Sequence, residues 1–150
     1  MKTLLPRGAA AGAFAAMTLF ASAGYAQNAE FEIRFYLQPD STGGNTLNKS
    51  VEIDDDLELT IEESRNAGQN RYIKRDATPE EISAVETLIR ERLAAYSTHV
   101  RERPDYPRIE VGLEIDSGAV TLEIEEHYPL GALPAAYLTL QDRFFEDRFE

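Results

Sequence analysis

Two runs of strictly alternating side chains constrain this fold more than any other feature. Ile109, Val111, Leu113 and Ile115 alternate with Glu110, Gly112 and Glu114, and Val120, Leu122 and Ile124 alternate with Thr121, Glu123 and Glu125. A period of two gathers apolar side chains on one face of a strand. Asp116-Ser117-Gly118 between the runs supplies turn chemistry. The pair therefore predicts a hairpin with aliphatics inward, acids outward and one face in water.

The same period recurs upstream. Phe31, Ile33, Phe35 and Leu37 alternate with Glu32, Arg34 and Tyr36, which predicts a half-buried strand over 31–37. Pro39 to Asn45 reads as a loop. Val51, Ile53, Leu57, Leu59 and Ile61 share one parity, which predicts one long strand over roughly 49–63. Asp55 has that parity too, and burying an unpaired carboxylate is costly. A bulge, bend or turn is therefore expected at Asp54-Asp55-Asp56. Asn66 to Asn70 reads as a turn, and Arg71 to Arg75 as a short return strand.

Two segments carry helical spacing. Thr78-Pro79-Glu80-Glu81 reads as a capping box with proline at the first helical position. The helix should run to about Tyr96, with Ile82, Val85, Leu88, Ile89, Leu93 and Tyr96 on one stripe and a Glu86–Arg90 pair on the wet side. Ala135 begins a second helix, with Tyr137, Leu140 and Phe144 on one face. The expected fold class is α+β, an antiparallel sheet of about five strands with two helices packed on one face.

The first 26 residues read as an export signal. Lys2 and Arg7 form a positive start, Gly8 to Ala23 is uncharged, and Ser22-Ala23-Gly24-Tyr25-Ala26 offers small residues at a cleavage site. The cut is placed after Ala26, with Ala23 as second choice. The segment is too short and too rich in Ala and Gly for a lasting anchor of about 20 apolar residues. This leaves one exported domain over 27–150, periplasmic or secreted, with no stable membrane insertion after cleavage.

Charge narrows the partners. The full chain carries 15 Lys plus Arg against 27 Asp plus Glu, and the exported domain carries 13 against 27, a net charge of −14. Such a surface repels nucleic acid and anionic lipid. There is no cysteine, which excludes disulfides, thiol catalysis and thiolate-bound zinc. An outer-membrane barrel needs about eight strands or more, beyond what this chain supplies.

No catalytic motif emerges. The serines lie in no GxSxG elbow, and Gly43-Gly44 lacks the Lys-Ser/Thr of a phosphate loop. A metal site would need His99 and His127 together with an acid such as Glu125 or Glu126, and nothing in the spacing brings them together. Asp54-Asp55-Asp56 lacks EF-hand spacing and reads as an acidic turn. No metal, cofactor or catalytic residue is assigned. Phe144, Phe145 and Phe149 crowd the C-terminus. Docking on the sheet is the ordinary outcome for them, and a partner-binding face involving Phe145 and Phe149 is the alternative.

From about Leu57 to Phe145 the order of features resembles the emfourin-type small inhibitors of thermolysin-like metalloproteases. The resemblance is carried by a strand over 57–63, the turn Asn66-Ala67-Gly68, the helix opened by Thr78-Pro79-Glu80-Glu81, the hairpin from Pro107 through Val120-Thr121-Leu122, and a closing Leu133-Pro134-Ala135 helix. That family usually has a double glycine in the first turn, where this chain has Asn66-Ala67-Gly68, and the strand at 31–37 is an addition. The resemblance implies inhibition, with Asn66, Gly68 and Asn70 marking the loop to test.

The leading expectation is therefore an exported non-enzymatic protein that binds a protein partner, a protease inhibitor acting by cleft occlusion. One rival is a small periplasmic hydrolase using His127 and a neighbouring carboxylate as base. The other is an envelope assembly protein that forms a homodimer through its C-terminal helix.

Overall fold

The computed structural model describes residues 29–43, 46–65, 68–95 and 102–149. The expected leader and its cut after Ala26, together with Asn66, Tyr96 and His99, lie outside the described residues. The elements are β1 (Glu30–Gln38), β2 (Leu47–Ile53), β3 (Glu58–Ser64), β4 (Asn70–Asp76), α1 (Pro79–Ala95), β5 (Arg108–Asp116), β6 (Thr121–Pro129) and α2 (Ala135–Phe144). The fold is α+β, as the alternating and helical periods predict.

The sheet has six strands rather than about five, in the order β4-β3-β2-β1-β5-β6, and every neighbouring pair is antiparallel. The difference arises at the acidic turn. The expected long strand over 49–63 reverses on itself there, and Ile53 faces Leu59 across the new hairpin. Asp54 drives the reversal. Its carbonyl accepts the Leu57 N–H at 3.0 Å, and its N–H donates to the Glu58 carbonyl at 3.1 Å. Its Oδ1 accepts the N–H groups of Asp56 at 3.1 Å and Glu58 at 2.8 Å. Leu57 takes the left-handed conformation at φ 64° that this type of loop requires. The turn keeps odd residues of both strands on one face and leaves Asp55 exposed.

Parity then decides burial. Phe31, Ile33, Phe35, Val51, Ile53, Leu59, Ile61, Ile109, Val111, Leu113 and Ile115 are all buried. They join Val85, Leu88 and Ile89 of α1 and Tyr137, Leu140 and Phe144 of α2 in one core. The rings of Tyr137 and Phe145 meet Phe35 edge-on at 5.8 and 6.0 Å, an arrangement that aromatic quadrupoles favour.

The predicted capping box closes as expected. Thr78 Oγ1 accepts the Glu81 N–H at 3.2 Å, and Glu81 Oε2 accepts the Thr78 N–H at 2.9 Å. Arg75 adds two hydrogen bonds to the Glu81 carboxylate, at 2.8 and 2.7 Å, and so ties α1 to the end of β4. Arg92 near the end of α1 pairs with Glu126 and donates to the Tyr128 hydroxyl at 2.8 Å, both on β6. The Tyr137 hydroxyl of α2 donates to the second oxygen of Glu126. Burial and the adjacent Glu126 push the Tyr137 hydroxyl far above its ordinary range, so it remains a donor. One carboxylate thereby joins both helices to one strand.

Candidate functional site: the β3–β4 tip and its buried brace

The tip between β3 and β4 contains the loop expected to contact a partner. Gly68 is exposed at φ 73°, a left-handed conformation that suits glycine. Asn70 is exposed and pairs with Ser64 as the last rung of the hairpin. Strand β4 is an edge of the sheet, and Tyr72 on it is 59% exposed. An edge strand offers backbone donors and acceptors to an added strand.

Directly behind the tip lies a buried ion pair. Lys49 of β2 faces Glu63 of β3 in register, and Lys49 Nζ lies 2.8 Å from Glu63 Oε1. Their side chains are 2% and 1% exposed. Lys49 also donates to the Asp147 carbonyl. Glu63 Oε2 accepts from Arg71 of β4 at 3.3 Å and from the Glu146 N–H at 3.4 Å. Burial pushes the Glu63 carboxyl up, but Lys49, the Glu146 amide and Arg71 outweigh it and hold the group below its ordinary range. Desolvated charges persist only with such multiple partners.

The C-terminal segment completes this brace. Arg71 reaches the Phe144 carbonyl at 3.1 Å, and Arg65, at the start of the tip, pairs with Glu146. Lys49 Nζ sits 5.4 Å from the Phe145 ring centroid and 4.7 Å from that of Phe149. Phe149 is fixed by a reciprocal pair with Gln141, whose Oε1 accepts its N–H at 2.7 Å and whose Nε2 donates to its carbonyl at 3.2 Å. Phe145 and Phe149 are buried, 7% and 6% exposed. Their contacts are with residues of the sheet, Phe145 with Phe35 and both rings with Lys49.

The structure thus ties one half of the expected site to the other, though by an unexpected route. The aromatic residues sit behind the β3–β4 hairpin and hold its base. Sequence reasoning missed Lys49, Glu63 and Gln141. The available signal was parity, because Lys49 and Glu63 share the odd positions of Val51, Ile53, Leu59 and Ile61.

The histidine of the rival hydrolase reading lies elsewhere. His127 is on β6, opposite Glu110 of β5 and on the acid-rich face. An open groove of about 590 Å³ lies between α1 and α2, lined by residues such as Pro79, Ser83, Leu88, Glu91, Leu140 and Arg143. His127 is not among its lining residues. Its chemistry is therefore separate from that groove.

On the same acid-rich face Arg34 lies among carboxylates, 3.0 Å from Glu123, 3.5 Å from Glu114 and 3.7 Å from Glu32. Gly112 is the cross-strand partner of Arg34. A Cβ at Gly112 would lie 3.5 Å from Arg34 Nε, an ordinary contact, so the guanidinium passes directly over this position. Burial raises the Glu32 carboxyl against the pull of Arg34, and the acids Glu52, Glu114 and Glu62 add to the rise. No helix among the described residues is long and apolar enough to cross a membrane.

No protein-family model matches the chain, and no curated protein matches it.

Proposed function

We propose that this chain is an exported, non-catalytic binding protein, a protease inhibitor that presents the β3–β4 tip and the β4 edge to an enzyme cleft. One observation carries the reading. Gly68 and Asn70 are exposed at a sheet edge, and the strands leading to them are held from behind by the buried Lys49–Glu63 pair, by half-buried Arg71 and by the C-terminal segment. A loop that blocks a cleft gains affinity from being rigid before it binds, since little ordering entropy is then lost. Strand addition at an edge would supply backbone hydrogen bonds to the partner.

In this reading both helices cover the odd-numbered face of the sheet and leave the β4 edge to the partner. The leader-like first 26 residues support export, to the periplasm or by secretion. The order of elements, similar to emfourin-type inhibitors, makes a thermolysin-like metalloprotease the partner to try first.

The test is an inhibition assay. The domain spanning 27–150 should slow peptide hydrolysis by a thermolysin-like metalloprotease, and Tyr72→Ala should weaken that inhibition while the far-ultraviolet spectrum stays unchanged. Hydrolysis that proceeds at the same rate at saturating protein would remove the reading.

A further inference from the structure

On the outer face of the sheet, well away from the β3–β4 tip, three potential metal ligands converge. Glu110, Glu125 and His127 each bring a donor atom within 4.8 Å of the other two. Strand geometry explains the convergence. Glu125 and His127 are two residues apart on β6 and so share a face, and Glu110 faces His127 directly from β5.

The two ring nitrogens of His127 differ. Nε2 lies 2.6 Å from Glu125 Oε1, a hydrogen bond to a carboxylate. Nδ1 is buried and has no hydrogen-bond partner. It faces Glu110 Oε2 at 3.8 Å, too far for a hydrogen bond. A buried ring nitrogen without a partner is unusual in a side chain that is only 12% exposed.

Glu110 is itself held in place. Gln38 Nε2 donates to Glu110 Oε2 at 3.1 Å, and Arg108 Nε donates to Gln38 Oε1 at 2.8 Å. Arg108 is anchored in turn by the Pro104 carbonyl and the Tyr106 hydroxyl. Arg103 lies 3.3 Å from Glu125. These contacts fix a carboxylate facing Nδ1, with a second carboxylate on the far ring nitrogen. Metal-binding histidines commonly have this outer partner, which sets the tautomer and raises the basicity of the ligating nitrogen.

We propose that His127 Nδ1 and Glu110 bind a divalent transition ion of the zinc class, with Glu125 orienting the imidazole. Tetrahedral zinc with bonds of about 2.0–2.2 Å holds an N and an O ligand about 3.4 Å apart. The gap of 3.8 Å closes to that value with a small movement of the Glu110 side chain. Glu110 is 22% exposed, so solvent reaches the site from the Glu110 side. Mixed imidazole and carboxylate donors favour zinc over magnesium or calcium, which prefer all-oxygen shells. The site is independent of protease inhibition, because it lies on the β5–β6 side of the sheet and the tip lies at the opposite edge.

The experiment is calorimetric titration of the domain spanning 27–150 with Zn²⁺ alone near neutral pH, with Mg²⁺ as a parallel titrant. One equivalent of Zn²⁺ should bind and Mg²⁺ should not compete. His127→Ala and Glu110→Gln should each abolish this binding, and Glu125→Gln should weaken it about 10-fold to 100-fold. Circular dichroism checks the fold of each variant, and Glu110→Gln decides the matter if His127→Ala does not fold. No Zn²⁺ uptake by the parent domain, or unchanged uptake by a folded His127→Ala or Glu110→Gln variant, would overturn the assignment.

Discussion

Lys49 and Glu63 form an ion pair with Nζ 2.8 Å from Oε1, across two adjacent strands and almost completely removed from water. The pair lies at the base of the hairpin that carries the exposed tip, and the C-terminal segment closes over it. Its energetics follow from desolvation. Removing one member leaves the other charge buried, whereas removing both leaves an apolar contact. Lys49→Ala should therefore cost about 3–5 kcal/mol, and Lys49→Met combined with Glu63→Leu should restore most of that loss. Urea denaturation of the single and double variants measures the difference.

Acid should weaken the fold through Glu81. Its two hydrogen bonds from Arg75, with help from Thr78 and against burial, hold the carboxyl at about 2 rather than the ordinary 4.5. The folded-state value is the lower one, so the contribution is complete above the unfolded value and is lost as pH falls from there towards the folded value. Glu63 is shifted in the same direction. Glu32 is raised and works in the opposite sense, so a comparison with Glu81→Gln isolates the capping carboxylate. The urea midpoint of the parent should fall between about pH 5 and pH 3, and that of Glu81→Gln should fall less.

The cap itself can be tested at neutral pH. Thr78→Ala removes the hydroxyl that accepts the Glu81 N–H and should cost about 1 kcal/mol. Thr78→Ser keeps the acceptor and should cost less than half of that, as read by thermal unfolding.

Gly112 offers a test with the opposite sign. A methyl group there would lie 3.5 Å from Arg34 Nε, an ordinary contact distance, and φ is not in the left-handed region. Gly112→Ala should stabilise the protein by about 0.5–1 kcal/mol, because the unfolded chain loses freedom. Gly112→Leu should give no such gain, since the larger side chain displaces the guanidinium from Glu123. Parallel urea melts of the two variants check the contrast.

The C-terminal brace depends on a buried amide. Gln141 is 0% exposed and satisfies both backbone polar groups of Phe149. Gln141→Leu strands an N–H and a carbonyl and should cost about 1–3 kcal/mol for each group left unpaired. Amide exchange of Phe149 should accelerate as the segment lifts from the sheet.

Much of the fold was legible because periodicity is local. The strands at 31–37 and 109–115, the capping box at Thr78 and the Tyr137–Leu140–Phe144 face all follow from residue spacing. The strand count was less legible. Odd parity runs through both β2 and β3, so a continuous strand and a tight hairpin present the same pattern. What separates them is the hydrogen bonding of Asp54 and the left-handed Leu57. The candidate site was legible only in pieces. The loop residues Gly68 and Asn70 could be named, but not the buried lysine and glutamate behind them.

Sequence alone determined which faces are apolar and where α1 starts, because these depend on side-chain spacing and backbone geometry within a few residues. Tertiary structure decided the strand order β4-β3-β2-β1-β5-β6, the pairing of Lys49 with Glu63 and the meeting of His127 with Glu110. Those outcomes depend on register between strands. Register is set when distant apolar faces bury one another together, so it is carried by the assembled core and by no single segment of the chain.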